Sequence, residues 1–362
     1  MKRIIVFLLV VALILSGCLG KTSNKNNPYS KYSYEFIGSF DTVIQFVGYA
    51  EREEQFDGFA KQGQARFEDL HKLYDKYNDY PGLNNIKTIN DNAGLKPVEV
   101  RQEIIDLILF AKEWHQKTGG VVNIALGPVL SIWHDYREQG LSNPEQAKLP
   151  GLEELKAANA LTNLNKVIVD QAKKTVFLKE SGMSLDIGAV AKGYATEIVA
   201  QELAKSGVNS MVISSGGNVK LIGKPLDGLR NKWGIGIQDP NGNPLKADDP
   251  PLDTVFTIEQ SIVSSGDYQR NYKVNGVLVH HLIDPKTLFP ATHYRAVTAM
   301  VQDSGLADFM STTLFLLPFE ESKAMAEKID GLEAVWVFPD GHLEATEGMK
   351  KALKNMGGAT SK

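Results

Sequence analysis

The segment Leu185-Asp186-Ile187-Gly188-Ala189-Val190-Ala191-Lys192-Gly193-Tyr194 constrains the chain more than any other stretch. A carboxylate leads, small residues follow, and a lysine falls on what reads as the first turn of a helix. Gly188 and Ala189 lack the bulk that keeps a ligand off the main chain. The start of a helix offers free N–H groups to an anion. Lys192 suits a phosphate as counter-charge, and Asp186 suits a ribose hydroxyl or a ring N–H as acceptor. Taken by itself, the segment is equally well a helix start with small residues for close packing.

The N-terminus reads as an address. Met1-Lys2-Arg3 is a short positive stretch, and Ile4 to Leu15 is apolar but shorter than the roughly 20 residues of a permanent span. A signal peptide fits it. Leu15-Ser16-Gly17-Cys18 resembles the lipobox of bacterial lipoproteins, in which the cysteine is lipidated. Cys18 is the only cysteine, so attachment replaces disulfide chemistry. Lys21 to Lys31 is polar and Asn-rich, a tether. The sequence therefore divides into residues 1–18 (leader), 19–32 (tether), 33–350 (catalytic unit) and 351–362 (polar tail). A net charge of −4 argues against a nucleic-acid binder with a basic face.

Along the chain, Glu35 to Val47 reads as an opening strand. Phe56, Phe59, Phe67, Leu70 and Tyr74 recur at helical spacing within Gln55 to Tyr77, as core residues rather than a ring-stacking ligand site. Asp79 to Leu95, rich in Asn, Gly and Pro, reads as a surface loop. Arg101 to Lys117 is an amphipathic helix stopped at Gly119-Gly120. Lys166–Asp170 and Thr175–Lys179 form a hairpin. The helix opened by the central segment runs to about Lys205. Val208 to Ser214 is a buried-type strand leading into Ser215-Gly216-Gly217-Asn218, and Trp233 to Gln238 is another. Asn241 to Asp253 is a loop. Tyr272 to Ile283 is a hairpin turning at Asn275-Gly276. Leu306 to Leu317 is a helix ended by Pro318, and Ala334 to Phe338 a last strand. Helices and strands mix without a βαβ repeat, so the fold class is α+β.

Two further segments bring chemistry. Asp308, Ser311 and Thr312 share one helix face, where hard oxygen ligands suit Mg²⁺, an ion that completes its shell with waters and phosphates. The plain alternative is an exposed aspartate near a helix start with two ordinary hydroxyls. His280 and His281, as strand neighbours, point to opposite faces, so a general base fits them better than joint metal chelation. Asp284 either orients that base or starts the turn at Pro285. The chain has no His-Glu-x-x-His, no Gly-x-Ser-x-Gly, no Walker loop and no Rossmann fingerprint. His71, His115, His134, His293 and His342 are scattered and take no role.

Together these blocks resemble the ApbE family, the FAD:protein FMN transferases. The likeness runs in order through Thr118–Trp133 (TGGVVNIALGPVLSIW), LDIGAVAKGY, MVISSGGNVKLIG, GDYQRNY with HHLIDPKT, and ADFMSTTL. The chain departs from the family pattern in places. Phe40-Asp41-Thr42 stands for a frequent Met-Gly-Thr, Asn123 and Ala125 for Asp and Thr, and Leu288 for a usual Gly.

The resemblance implies a single large mixed unit of T-fold-like type with two intimately packed subdomains. It also implies a reaction: FAD is bound, Mg²⁺ activates its pyrophosphate, FMN passes to a Ser or Thr hydroxyl of a target protein, and AMP leaves. By position, Ala189 would give its carbonyl to the metal, with Asp308 and Thr312, and less clearly Ser311, as side-chain ligands. Asp186 and Lys192 would contact FAD; Phe40, Ala125, Leu126 and Gly127 would line the same pocket. His281 would contact FAD and deprotonate the acceptor. The lipid anchor would place the site outside the cytoplasmic membrane, facing an exported acceptor or an extracytoplasmic loop of a membrane redox complex. FAD hydrolysis to FMN and AMP is the second enzymatic reading. A flavin-binding lipoprotein without turnover is a third.

Overall fold

The computed structural model describes residues 27–242 and 249–362. The leader, Cys18 and part of the 241–253 loop lie outside the described residues. Among those described, no helix is long and apolar enough to cross a membrane.

Eight strands form one sheet in the order Ser30–Ser39, Thr42–Ala50, Ser210–Ser215, Asn218–Gly223, Ser261–Gly266, Ala296–Val301, Glu333–Val337, Leu343–Ala345. Every neighbouring pair is antiparallel. Side chains alternate between two cores, as the strand period of two requires. Ile44, Phe46, Met211, Ile213, Val263, Val297, Ala299 and Trp336 join the helices Glu53–Tyr74, Ala191–Lys205 and Ser304–Leu316 on one face. Val47, Val212, Val219, Leu221, Ile262, Met300 and Val335 pack on the other against Trp233, Ile235, Val255, Met349 and Leu353. Both faces are thus covered, which is why Ser210–Ser215 and Ala296–Val301 are buried at every position. A smaller third core holds Leu126, with Val129 and Trp133 of the Gly127–Ser142 helix that follows it, against Tyr272, Val274 and Val279 of a hairpin. The α+β class is what the elements show.

Several boundaries differ from the sequence reading. The opening strand is a hairpin, with Phe40 and Asp41 as its two-residue turn. It begins at Ser30, inside the expected tether. Asp79 to Leu95 is not all loop, because Ile86–Asp91 is a helix opened by a capping box between Asn85 and Thr88. Its Ile86 and Ile89 are buried, so local capping overrode the loop-like composition. The polar tail is docked, since Leu353 is fully buried and the Ser361 carbonyl accepts from the main-chain N–H groups of Asn231 and Lys232.

Candidate active site

A cleft opens between the sheet, the helix starts at Ala191 and Ser304, and the third core. Its walls include Phe40, Asp41, Lys76, Leu126, Arg137, Asp186, Gly188, Ala189, Lys192, Gly216, Arg270, His281, Asp308 and Thr312. Three segments far apart in sequence therefore meet in one place.

The reason they meet is Gly193. A β-carbon there would lie 2.2 Å from the Ser304 carbonyl oxygen and 2.4 Å from Asp308 Cβ. Only glycine lets the Ala191–Lys205 and Ser304–Leu316 helices approach this closely. The Gly193 N–H donates to Asp308 Oδ2 at 2.8 Å. That N–H makes no bond to the Ala189 carbonyl, which would be its partner had the helix begun a turn earlier. The tightest approach thus falls at Gly193, not at the Gly188-Ala189 pair that the sequence drew attention to.

Asp308 is not the exposed aspartate of the plain reading. Every residue of Ser304–Leu316 is buried, and Asp308 is 4 % exposed. Burial raises its carboxyl above the ordinary range, against the pull of Lys192 and the Gly193 N–H. In the amide orientation that satisfies both neighbours, Asn218 donates to Asp308 Oδ1 at 3.3 Å and accepts from Lys192 Nζ at 3.2 Å. Asn218 belongs to the Ser215-Gly216-Gly217-Asn218 turn and so links the lysine to the carboxylate. Thr312 Oγ1 borders the cleft, 3.3 Å from Ser265 Oγ. Ser311 faces inward instead, with its hydroxyl bonded to the Asp308 carbonyl at 2.9 Å and lying 2.8 Å from Ser265 Oγ.

Asp186 is held from two sides. Its Oδ1 accepts from the Gly188 N–H at 2.9 Å, and its Oδ2 pairs with Lys76 Nζ at 2.6 Å. Burial opposes ionisation here, yet the lysine, the Gly188 N–H and Arg270 outweigh it, and the carboxyl sits below its ordinary range. Lys76 is a site residue that sequence reasoning missed. It lies 110 residues before its partner and carries no motif.

The two histidines separate cleanly. His280 Nε2 is bonded to the Ala291 carbonyl at 2.8 Å, and its Nδ1 accepts from the Leu282 N–H at 3.2 Å. Its ring packs edge-on against Phe315. Both nitrogens are used, so His280 is structural. His281 follows the strand, borders the cleft and leaves its buried Nδ1 without a partner among the described residues. Burial and the charges of Arg270, Arg137 and Lys192 hold its imidazole well below the ordinary value, so it is neutral at pH 7. Asp284 does not orient it, because Asp284 Oδ1 accepts from the Lys286 N–H at 2.9 Å and starts the turn.

Of the expected pocket residues, Phe40 and Leu126 border the cleft, while Ala125 and Gly127 stand behind its wall. Ala125 is fully buried and its N–H donates to Asn123 Oδ1 at 2.9 Å. A β-carbon on Gly127 would strike Ser184 at 2.4 Å, so this glycine serves packing. Arg270 has φ +38 and borders the cleft without a hydrogen bond or ion pair among the described residues.

The cleft walls carry Lys76, Arg137, Lys192 and Arg270 against Asp41, Asp186 and Asp308. A neutral imidazole, a buried carboxylate with a neighbouring hydroxyl, and this excess of positive charge define an enzyme that handles a phosphorylated substrate. The comparisons give that class its family. The ApbE family matches residues 40–336, and the chain belongs to it. The FAD:protein FMN transferase of Treponema pallidum is 32% identical over 276 residues, 73% of each chain. That of Klebsiella pneumoniae is 32% identical over 274 residues, covering 74% of this chain and 80% of its own. The ApbE protein crystal structure from Thermotoga maritima superposes with a TM-score of 0.76 at 26% identity, over 89% of this chain and 99% of that one. The fold is also that of the Pseudomonas stutzeri flavinyl transferase ApbE in its apo form, with a TM-score of 0.72 at 21% identity over 92% and 98% of the two chains.

Proposed function

We propose that this chain moves FMN from FAD to a Ser or Thr hydroxyl of a protein acceptor, forming a phosphoester and releasing AMP. The observation that carries the reading is the Gly193–Asp308 hydrogen bond of 2.8 Å, which ties the phosphate-facing segment to the oxygen-ligand helix beside His281. The alternative of flavin binding without turnover needs no Mg²⁺ ligands, and the cleft-lining Asp308 and Thr312 argue against it.

Among the described residues no three His, Cys, Asp or Glu side chains form a metal cluster. The donor set fits Mg²⁺ all the same, because this ion needs few protein ligands when phosphates and waters supply the rest. Asp308, Thr312 and the Ala189 carbonyl are the oxygens that would hold it. When bound, the ion offsets the negative charge of the pyrophosphate and stabilises the charge that develops on AMP.

The chain's own groups do the remaining work. Lys192 and Arg270 offset phosphate charge, and Asn218 keeps Lys192 aligned with Asp308. Phe40 and Leu126 shape the apolar wall. His281 takes the proton of the acceptor hydroxyl as its oxygen bonds to the FMN phosphorus. The bond from that phosphorus to the bridging oxygen breaks, and AMP departs with the electron pair. General-base assistance of this kind contributes roughly 10²–10⁴-fold. Water in place of the acceptor gives the hydrolytic side reaction. The lipid anchor at Cys18 would set this cleft on the outer side of the cytoplasmic membrane, with exported redox proteins or exposed loops of membrane complexes as acceptors.

The test is direct. The purified chain is incubated with FAD, Mg²⁺ and a candidate acceptor and then run on a denaturing gel. Flavin fluorescence that stays on the acceptor band supports transfer; AMP formation without it assigns hydrolysis instead.

A further inference from the structure

The hairpin turn at the cleft rim combines backbone strain at its tip with close packing around it. Phe40 and Asp41 have φ of +55 and +52, a left-handed pair that such turns normally build from Asn and Gly. The ladder register shifts between Ile37 and Ser39, where Gly38 has φ +116. The fully buried Ser39 hydroxyl finds no partner among the described residues. Thr42 packs closely on the next turn, where a β-carbon on Gly216 would lie 2.3 Å from Thr42 Oγ1. Strain of this kind persists only where the surroundings impose it, and it gathers at functional sites.

What imposes it is the last turn of the Glu53–Tyr74 helix. The Phe40 N–H donates to His71 Nδ1 at 3.2 Å. The Phe40 ring meets the His71 ring edge-on at 5.6 Å and also contacts Phe67 and Tyr74, each at 6.4 Å. An imidazole that accepts at Nδ1 is neutral, with its proton on Nε2. Phe40, Asp41 and Thr42 all border the cleft.

We infer that His71 is a positioning residue that clamps the strained Phe40–Asp41 turn in its cleft-facing form and thereby sets the affinity for the aromatic ring system of the dinucleotide. This inference rests on the flavin-transfer reading above. His71 touches no substrate; it acts through the Phe40 main chain. Relaxation of the turn would swing Phe40 off the rim and open the apolar wall. Phe40, an aromatic residue at φ +55, resists the clamped form most, and Asp41 adds a smaller penalty that glycine at φ +52 would remove.

The test measures FAD binding to the full chain in the presence of Mg²⁺ by quenching of flavin fluorescence. His71→Ala is expected to weaken FAD at least fivefold and to raise KM for FAD more than it lowers kcat. His71→Asn, whose Oδ1 takes the place of Nδ1, is expected to stay within about twofold of the native affinity. In an Asp41→Gly background the same His71→Ala change is expected to have less than half its effect on a logarithmic scale. Equal FAD affinity of His71→Ala and the native chain would overturn the inference. So would failure of His71→Asn to recover affinity, or an undiminished effect beside Asp41→Gly. Absence of FAD binding by the native chain would instead overturn the transfer reading itself.

Discussion

Gly193→Ala is the perturbation that probes the helix contact most sharply. The added carbon would stand 2.2 Å from the Ser304 carbonyl oxygen and 2.4 Å from Asp308 Cβ. Comfortable carbon–carbon contact begins near roughly 3.5 Å, so the two helices must part by about 1 Å. Neither contact is with a flexible side-chain end, and Gly193, Ser304 and Asp308 are all buried. Overpacking of this kind typically costs about 1–3 kcal/mol. In a domain of this size that lowers Tm by roughly 1–4 °C. The larger effect falls on chemistry, because the Gly193 N–H to Asp308 bond of 2.8 Å opens and the carboxylate moves off the cleft. A displacement of about 1 Å at a reacting centre lowers the rate by about 10²-fold. The assay is single-turnover flavin transfer followed by in-gel fluorescence, with thermal unfolding measured on the same sample. Native-like transfer together with native-like Tm would refute the argument that Gly193 sets the helix approach.

Other expectations follow from the same geometry. Asp308→Ala removes Mg²⁺-dependent AMP release, as quantified by chromatography, while the chain still folds. His281→Ala retains FAD binding and loses about 10²–10⁴ of the transfer rate; normal flavinylation by this variant removes His281 as the base. Because the His281 imidazole is held well below 6.5, the base form persists as pH falls through that value. The acid limb of the transfer profile therefore lies below pH 6.5, and a limb at or above it contradicts the assignment. Lys76→Met leaves the partly buried Asp186 carboxylate without its 2.6 Å partner, a destabilising change. The lowered carboxyl of Asp186 contributes stability that is present above the ordinary carboxylate pKa of about 3.9 and is lost as pH falls. Lys76→Met should thus move the acid-unfolding midpoint to higher pH, as followed by circular dichroism.

The parts of the fold that were legible in the sequence are those with a local pattern. The Glu53–Tyr74 and Gln102–Lys117 helices announce themselves by apolar spacing, and the Asn275-Gly276 hairpin by its turn residues. Ser261–Gly266 and Ala296–Val301 escaped because strands covered on both faces lose the alternation that marks a strand. The Gly127–Ser142 helix carries a local signal too, a proline in its first turn. The site was legible as motifs, not as geometry. Nothing in the neighbourhood of Lys76 points to Asp186, and nothing in the neighbourhood of His71 points to Phe40. Both pairings come from the way the end of the first long helix meets the sheet. The departures at Asp41 and Leu288 were visible as letters; their meaning needed backbone angles. Both residues sit at positive φ, +52 and +65, where the family's usual glycine is at ease.

The most direct measurement is a crystal structure of the chain with FAD and Mg²⁺. The expected result is an ion at about 2.0–2.1 Å from the Ala189 carbonyl oxygen, an Asp308 carboxylate oxygen and Thr312 Oγ1, with the pyrophosphate of FAD completing its shell. FAD seated in the cleft with the ion bound elsewhere, or with those three oxygens turned away from the diphosphate, would contradict the account.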